Sequence, residues 1–199
     1  KGTNLKKYIE SVLAERRNEA IGIEIGGIGS NLFRGFSEGF FARSLGVSLV
    51  DGRSVIKRFT DRGRRHSVLA RDLRNPATDK EILSWLNGEE ADLVIERMVG
   101  GLSLLPQDPY FMGGMLSSGY RILSEGGLMF VQMPEVMDPL AIPWMEHVRA
   151  QAGGAIDISY DGRDDLLYRN FRVQKLPGAP EEIQVLSPNQ LRHAFKEAA

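Results

Sequence analysis

A run of glycines follows a short apolar segment near the start of the chain. The stretch from Ile23 to Ser30 is IEIGGIGS, in which Glu24 stands two residues before Gly26. Glycines that follow a strand let the backbone approach a ligand closely, and a helix that begins there offers unpaired N–H groups to a polar guest. A carboxylate within an apolar strand is costly to bury unless it is matched by a partner. The pattern therefore favours a ligand-binding role for Glu24.

Carboxylates also stand near the ends of three further apolar segments. Asp51 ends VSLVD, Asp72 ends HSVLARD, and Glu96 is the penultimate residue of ADLVIER. Ligands of open parallel sheets bind beyond the carboxyl ends of the strands, so we expect these side chains to share one crevice with Glu24. A ring of four carboxylates would repel a phosphate-bridged coenzyme. It would attract an ammonium group, a sulfonium, ribose hydroxyls and an adenine amino group. S-adenosylmethionine carries all of these groups.

Alternating strands and helices are predicted to position this ring. Strands are predicted at the five apolar segments AIGIEIGG, VSLVD, HSVLARDL, ADLVIER and GGLMFVQMP, and helices over residues 5–16, 31–45, 54–60, 79–87 and 110–123. After Pro134 the pattern predicts a helix over 142–154, an antiparallel strand pair around Asp161 and Gly162, and a final helix capped by Ser187. This order predicts a doubly wound, Rossmann-like α/β fold. Its seven-stranded sheet is mostly parallel, with an antiparallel C-terminal pair and helices on both faces.

Length and composition favour a single domain without a membrane span. The 199 residues divide into an N-terminal helix in 1–18, a core in 20–176, and a linker with a C-terminal helix in 177–199. The 25 basic and 26 acidic residues nearly cancel, and no apolar run approaches the roughly 20 residues that cross a bilayer, so we expect a cytoplasmic protein. The absence of cysteine excludes disulfides and cysteine nucleophiles, and the three scattered histidines predict no metal site.

The segments resemble, in order, the motifs of class I S-adenosylmethionine-dependent methyltransferases over roughly residues 20–176. The resemblance implies that Asp51 accepts hydrogen bonds from the ribose hydroxyls, and that Asp72 and the backbone at Leu73 bind adenine. It also implies cofactor-binding roles for the residues of the first and fourth motifs, which are Glu24, Gly26, Gly27, Gly29 and Glu96. The family's glycine loop has a further glycine where Ile28 stands, and Ser30 replaces another.

Two other functions remain open from the sequence. A nicotinamide or flavin dinucleotide could use Asp51, 27 residues after Glu24, for its ribose. Against this, the chain lacks a regular G-x-G-x-x-G pattern and has no length left for a catalytic domain. A non-catalytic binding module that keeps the fold is the second alternative, and the irregular loop at Ile28 favours it. Each carboxylate also has a purely structural interpretation, such as a helix cap at Asp51 or an ion pair between Glu96 and Arg97.

The methyl acceptor is predicted only by elimination. Chemistry on exocyclic base amines typically uses an Asn-Pro-Pro-Tyr run after the fourth strand, which is missing, and the cysteine route to pyrimidine carbons is excluded. A small-molecule, protein or RNA acceptor remains. Glu96 and His147 are the candidate proton acceptors. One local cluster could contact RNA or phosphate, and it consists of Lys57, Arg58, Arg62, Arg64 and Arg65.

Overall fold

A seven-stranded mixed sheet forms the centre of the molecule. The computed structural model describes residues 4–97, 109–134, 138–161, 168–184 and 186–197. Its strands are β1 (Ala20–Ile25), β2 (Phe41–Ser48), β3 (His66–Ala70), β4 (Ala91–Glu96), β5 (Leu123–Pro134), β6 (Ile156–Asp161) and β7 (Tyr168–Lys175). They lie in the order β3-β2-β1-β4-β5-β7-β6, and β7 is antiparallel to both of its neighbours. The predicted doubly wound sheet with an antiparallel C-terminal pair is confirmed.

Helices connect and cover the strands. They are α1 (Leu5–Val12), α2 (Ser30–Phe33), α3 (Val55–Gly63), α4 (Ala77–Leu86), α5 (Pro109–Arg121), α6 (Asp138–Ala152) and α7 (Pro188–Glu197). The Asn4 side chain caps α1 by accepting a hydrogen bond from the backbone N–H of Lys6 at 3.0 Å. The predicted cap of α7 is also present, since the Ser187 hydroxyl accepts from the backbone N–H of Gln190 at 3.3 Å. Among the helices in the described ranges, none is long and apolar enough to cross a membrane.

The two faces of the sheet bury separate apolar clusters. Ile23 and Ile25 of β1 belong to the cluster that includes side chains of α4, α5 and α6. Leu93 and Ile95 of β4 belong to the cluster that includes α1 and the aromatic residues after the glycine turn. Successive strand residues point to opposite faces. Glu24, between Ile23 and Ile25, therefore lies on the α1 face of the sheet, whereas Glu96, which follows Ile95, lies on the α5 face.

The predicted helix over 31–45 is wrong. The structure has one helical turn, α2, and Gly39 then takes a left-handed φ of +70° before β2 begins. The apolar residues at helical spacing instead form an aromatic cluster with ring centroids 5.0–6.5 Å apart, which consists of Phe33, Phe36, Phe40 and Phe41. Packing of these rings against one another and against the sheet therefore explains a spacing of apolar residues that also suits a helix.

Two strand ends differ from the prediction by two or three residues. β2 ends at Ser48, so Asp51 stands three residues beyond the strand, and β3 ends at Ala70, two residues before Asp72. Gly46, which directly follows the helix predicted over 31–45, lies inside β2. A Cβ at Gly46 would lie 2.2 Å from the carbonyl carbon of Ile28, so this glycine makes room for the turn that follows β1.

Candidate functional site

The glycine turn after β1 is held down onto β2. The Gly26 N–H donates to the Val47 carbonyl oxygen at 2.9 Å, and Gly29 takes a left-handed φ of +69°. The Ile28 carbonyl oxygen accepts from His66 Nε2 at 2.7 Å. The backbone of Ile28 occupies the space that a side chain at Gly46 of the neighbouring strand would fill.

His66 fixes this turn through its hydrogen bond to the Ile28 carbonyl oxygen. Since a carbonyl oxygen can only accept, Nε2 must carry the proton, and Nδ1 of the neutral ring accepts from the Ser44 hydroxyl at 2.8 Å. Burial is the main influence on this group and lowers the pKa of His66 below its ordinary value. The neutral ring with its proton on Nε2 fits both hydrogen bonds, and it is also the form that its surroundings favour.

Glu24 lies directly beneath the turn. Its side chain is completely buried, and a Cβ at Gly27 would come within 2.7 Å of its carboxyl carbon. Glycine is therefore required at position 27 for the turn to cover the carboxylate. The guanidinium of Arg97 donates to Oε1 of Glu24. Oε2 is buried and has no hydrogen-bond partner among the residues that the structure describes.

Asp51 and Asp72 are held in the same way by an arginine two residues further along. Arg53 donates from Nε to Oδ1 of Asp51 at 2.8 Å and from Nη2 to Oδ2 at 3.0 Å. Arg74 does the same to Asp72 at 2.9 and 2.6 Å. These side-chain hydrogen bonds are the main cause that lowers the pKa of each aspartate to about 2. Both carboxylates are therefore ionised near neutral pH, but each carries its own counter-ion.

A buried polar network lies around Asp61 of α3. The Asp61 side chain is 1% exposed and accepts from the Ser30 hydroxyl at 2.6 Å and from Arg53 Nη1 at 3.1 Å. Arg34 Nη2 donates to its other oxygen at 3.1 Å. Burial alone would raise the pKa of Asp61, but the hydrogen bonds from Ser30 and Arg53 lower it below its ordinary value. Through Arg53, this network links the start of α2 to Asp51.

The two candidate proton acceptors lie on the α5 side of the sheet, Glu96 in β4 and His147 in α6. Glu96 is 1% exposed and faces α5, where a Cβ at Gly119 would lie 2.5 Å from its Oε1. Burial is the main cause that raises the pKa of Glu96 to about 8, so the carboxyl is mostly protonated at neutral pH. His147 lies nine residues after the start of α6, about 14 Å along the helix axis, and its Nε2 is 2.8 Å from the Gln184 carbonyl oxygen.

Four residues of the site were not predicted from the sequence as parts of it. They are Arg53, Asp61, His66 and Arg97. The sequence does contain a signal for Arg53. The pattern Asp-x-Arg follows both β2 and β3, as Asp51 to Arg53 and as Asp72 to Arg74. The structural alternative for Glu96 was an ion pair with Arg97, but strand alternation places Arg97 on the opposite face, where it pairs with Glu24. The segment after Arg97, residues 98–108, lies outside the described residues.

Comparisons with solved structures give the fold of the chain. An rRNA methylase from Streptococcus thermophilus superposes with a TM-score of 0.57 at 12% identity, covering 88% of this chain and 98% of that one. A protein from Streptococcus mutans in complex with SAH gives 0.60 at 9% identity, covering 88% and 100%. The N-methyltransferase NodS from Bradyrhizobium japonicum in complex with SAH gives 0.53 at 15% identity, covering 86% and 85%.

No family model matches the sequence, and no curated protein matches it either. The likeness to these structures is therefore a likeness of fold. The chain has the fold of class I S-adenosylmethionine-dependent methyltransferases, and the predicted resemblance to that class is confirmed.

Proposed function

We propose that this chain binds S-adenosylmethionine at the carboxyl edge of β1, β2 and β3 and transfers its methyl group to an acceptor. The observation that carries the proposal is Oε2 of Glu24, a buried acceptor without a hydrogen-bond partner among the described residues. Leaving such a group unpaired costs about 1–3 kcal/mol, and more for a charged group. The ammonium of the methionine moiety is a donor of suitable charge, and the fold is that of proteins solved with SAH.

The Glu24–Arg97 pair suits an amino-acid ligand in particular. The methionine moiety carries an ammonium and a carboxylate on one carbon, and the pair offers a carboxylate oxygen beside a guanidinium that is 36% exposed. Glu24 would accept from the ammonium while Arg97 donates to the carboxylate. The backbone of the turn at Gly26, Gly27 and Gly29 would lie against the ligand.

The nucleoside would be bound by the other two strand ends. Asp51 is 21% exposed, and its oxygens retain acceptor capacity beyond the two hydrogen bonds from the Arg53 side chain, so it can accept from ribose hydroxyls. Asp72 and the backbone at Leu73 would bind the adenine edge. When bound, the cofactor supplies a methyl group activated by a sulfonium, so the chain has mainly to align the acceptor. We leave Glu96 and His147 out of the proton transfer. Glu96 lies on the face of the sheet opposite to Glu24, and the His147 imidazole is hydrogen-bonded to the Gln184 carbonyl oxygen.

Isothermal titration with S-adenosylmethionine tests the proposal. We expect Glu24→Gln to weaken binding by roughly ten- to a hundredfold, since a charge-assisted hydrogen bond contributes about 1.5–3 kcal/mol. Glu19→Gln is the matched control, because it removes an exposed carboxylate just before β1 and should leave the affinity unchanged. Equal affinities of both variants and the unmodified protein would contradict the assignment.

A second candidate function is a non-catalytic module with this fold. The observation that favours it is that Arg97, Arg53 and Arg74 already neutralise the three carboxylates proposed to bind the cofactor. A thermal-shift series with S-adenosylmethionine, SAH and the nicotinamide dinucleotides separates the possibilities, since a ligand that binds the folded state raises the melting temperature. A shift with SAH together with labelled methyl transfer to small-molecule, protein or RNA acceptors supports the enzyme. No shift with either compound supports the module.

A further inference from the structure

Helix α3 turns its polar side towards the protein and its apolar side outward. Asp61 is buried, whereas Val55, Ile56 and Phe59 are 82%, 78% and 77% exposed. A surface helix normally buries its apolar stripe, so this arrangement is the reverse of the usual one. α3 is instead held by polar contacts, which include the hydrogen bonds of Asp61 with Ser30, Arg34 and Arg53. The outer side of α3 is thus left available for contact with another molecule.

An arginine groove lies between α3 and the edge strand of the sheet. β3 is the last strand on its side of the sheet, and the cavity beside its Ser67 and Val68 has a volume of about 530 Å³. Trp85 of α4 forms part of its wall. The guanidinium groups that line this groove belong to Arg43, Arg53, Arg58, Arg62 and Arg65.

Two of these arginines have no carboxylate partner in the described part of the chain. Arg43 pairs with Glu89, and Arg53 pairs with Asp51 and Asp61. Arg58 contacts Asp51 at 3.5 Å. By contrast, Arg62 and Arg65 make no ion pair with any described residue. The groove therefore holds excess positive charge on a protein whose formal net charge is −1.

Arg65 occupies a backbone conformation that does not suit an arginine. Its φ of +53° lies in the left-handed region, which glycine and asparagine adopt at much lower cost. Strained backbone positions of this kind cluster at ligand-binding sites, where the side chain has a function that offsets its cost in stability. Arg65 stands directly before β3, and its side chain lines both the arginine groove and the neighbouring cavity that contains Phe33 and Phe41.

We propose that the arginine groove binds the phosphate backbone of single-stranded RNA. Guanidinium groups match phosphate oxygens in charge and in fork geometry, and unpaired ones gain most from such a contact. The exposed ring of Phe59, on the same helix as Arg58 and Arg62, offers a base a surface on which to stack. A concave site suits a chain-like ligand, whereas a membrane presents a flat surface. The inference goes beyond methyl transfer and does not depend on it.

The structure also narrows the cluster predicted from the sequence. Of its five members, Arg58, Arg62 and Arg65 line the groove. Arg64 lines the neighbouring cavity instead. The Lys57 ammonium donates to the side-chain oxygen of Asn31 at 2.9 Å, on the inner side of α3. Arg62 and Arg65 are therefore the residues to test.

Fluorescence anisotropy with a labelled oligouridylate of about 12 nucleotides is the test, at a series of salt concentrations. The variant is Arg62→Gln with Arg65→Asn, because asparagine tolerates the left-handed backbone at position 65. We expect at least about tenfold weaker binding, and a slope of log affinity against log salt that is smaller by about 1.4, or 0.7 for each lost phosphate contact. The charge-matched control is Lys7→Gln with Arg192→Gln, on α1 and α7, and it should behave as the unmodified protein.

Three results would overturn the inference. They are no RNA binding by the unmodified protein, equal loss of RNA affinity in the variant and the control, and equally tight binding of polyglutamate or phosphatidylserine vesicles through the same arginines. Circular dichroism and the melting temperature of both variants establish that they are folded. Titration of the groove variant with S-adenosylmethionine keeps the two proposals distinguishable, because Arg62 and Arg65 are not among the residues proposed to bind the cofactor.

Discussion

Replacing Glu96 by glutamine should remove a pH dependence of stability that this one buried carboxyl creates. Glu96 lies under α5 with its Oε1 unpartnered among the described residues. Burial, with a smaller contribution from the charge of Asp79, raises the pKa of Glu96 from 4.5 to about 8. Glutamine has nearly the shape of the protonated side chain but does not titrate.

The sign and size of the effect follow from the two pKa values of this side chain. Between pH 4.5 and about 8 the unfolded chain has lost the proton of Glu96, whereas the folded chain keeps it. Folding therefore takes up one proton, and the free energy of unfolding falls by about 1.4 kcal/mol for each pH unit. The contribution of Glu96 is fully present below pH 4.5 and is lost as the pH rises through about 8. Over the whole interval the loss is roughly 5 kcal/mol.

Urea unfolding at roughly pH 5, 6, 7 and 8 measures this loss. We expect the stability of Glu96→Gln relative to the unmodified protein to increase with pH at about 1.4 kcal/mol per unit. Glu146→Gln, which removes an exposed carboxylate on α6, should run parallel to the unmodified protein. If Glu96→Gln also ran parallel, Glu96 would be ionised in the folded protein, and the reasoning from its burial would be refuted.

Three further substitutions test the contacts that fix the glycine turn and the hydrogen-bond network around Asp61. Gly46→Ala should destabilise the fold by about 1–3 kcal/mol in urea, because its Cβ would meet the Ile28 carbonyl, whereas Gly63→Ala, in open space, should change it by less than about 0.5 kcal/mol. His66→Phe should cost about 1–3 kcal/mol, because it removes two hydrogen bonds, one to the Ile28 carbonyl oxygen and one from the Ser44 hydroxyl. It should also abolish the decline in stability below about pH 6.5, where the unfolded histidine takes up a proton before the folded one. Asp61→Asn should lower stability by about 3 kcal/mol, since the buried Arg53 guanidinium loses one of its two carboxylate partners and Arg34 loses its ion pair. Equal stabilities of Gly46→Ala and Gly63→Ala would contradict the first prediction. A pH profile of stability that His66→Phe leaves unchanged would contradict the second, and an unchanged melting temperature of Asp61→Asn would contradict the third.

The topology could be predicted from the sequence because it depends on features that are local in the chain. Apolar runs that alternate with helical segments specify parallel strands with crossovers, and the right-handed rule then leaves few arrangements. The same holds for the caps at Asn4 and Ser187, which depend on a side chain and a backbone N–H two or three residues away. Each of these signals lies within a few residues of the element that it specifies.

The interior of the first crossover could not be predicted, because its determinants are far apart in the sequence. The apolar spacing from Leu32 to Phe40 fits a helix and an aromatic cluster equally well, and only the packing against β1 and β2 decides between them. Gly46 has a role that depends on the backbone of Ile28, 18 residues earlier. The partner of Glu24 is Arg97, 73 residues later, which becomes its neighbour only when β1 and β4 pair.

The register of β1 and β4 gives two similar glutamates different roles. Ile25 pairs with Glu96, so Glu24 and Glu96 lie at the ends of adjacent strands but on opposite faces of the sheet. Glu24 contacts the glycine turn and the Arg97 guanidinium. Its Oε2, which has no partner among the described residues, can accept a hydrogen bond from a cationic ligand. Glu96 meets the backbone of α5 and Met129, where its charged form is disfavoured. Glu24→Gln should therefore change ligand affinity, and Glu96→Gln should change the pH dependence of stability. An exchange of these two effects would contradict the register and, with it, the proposed site.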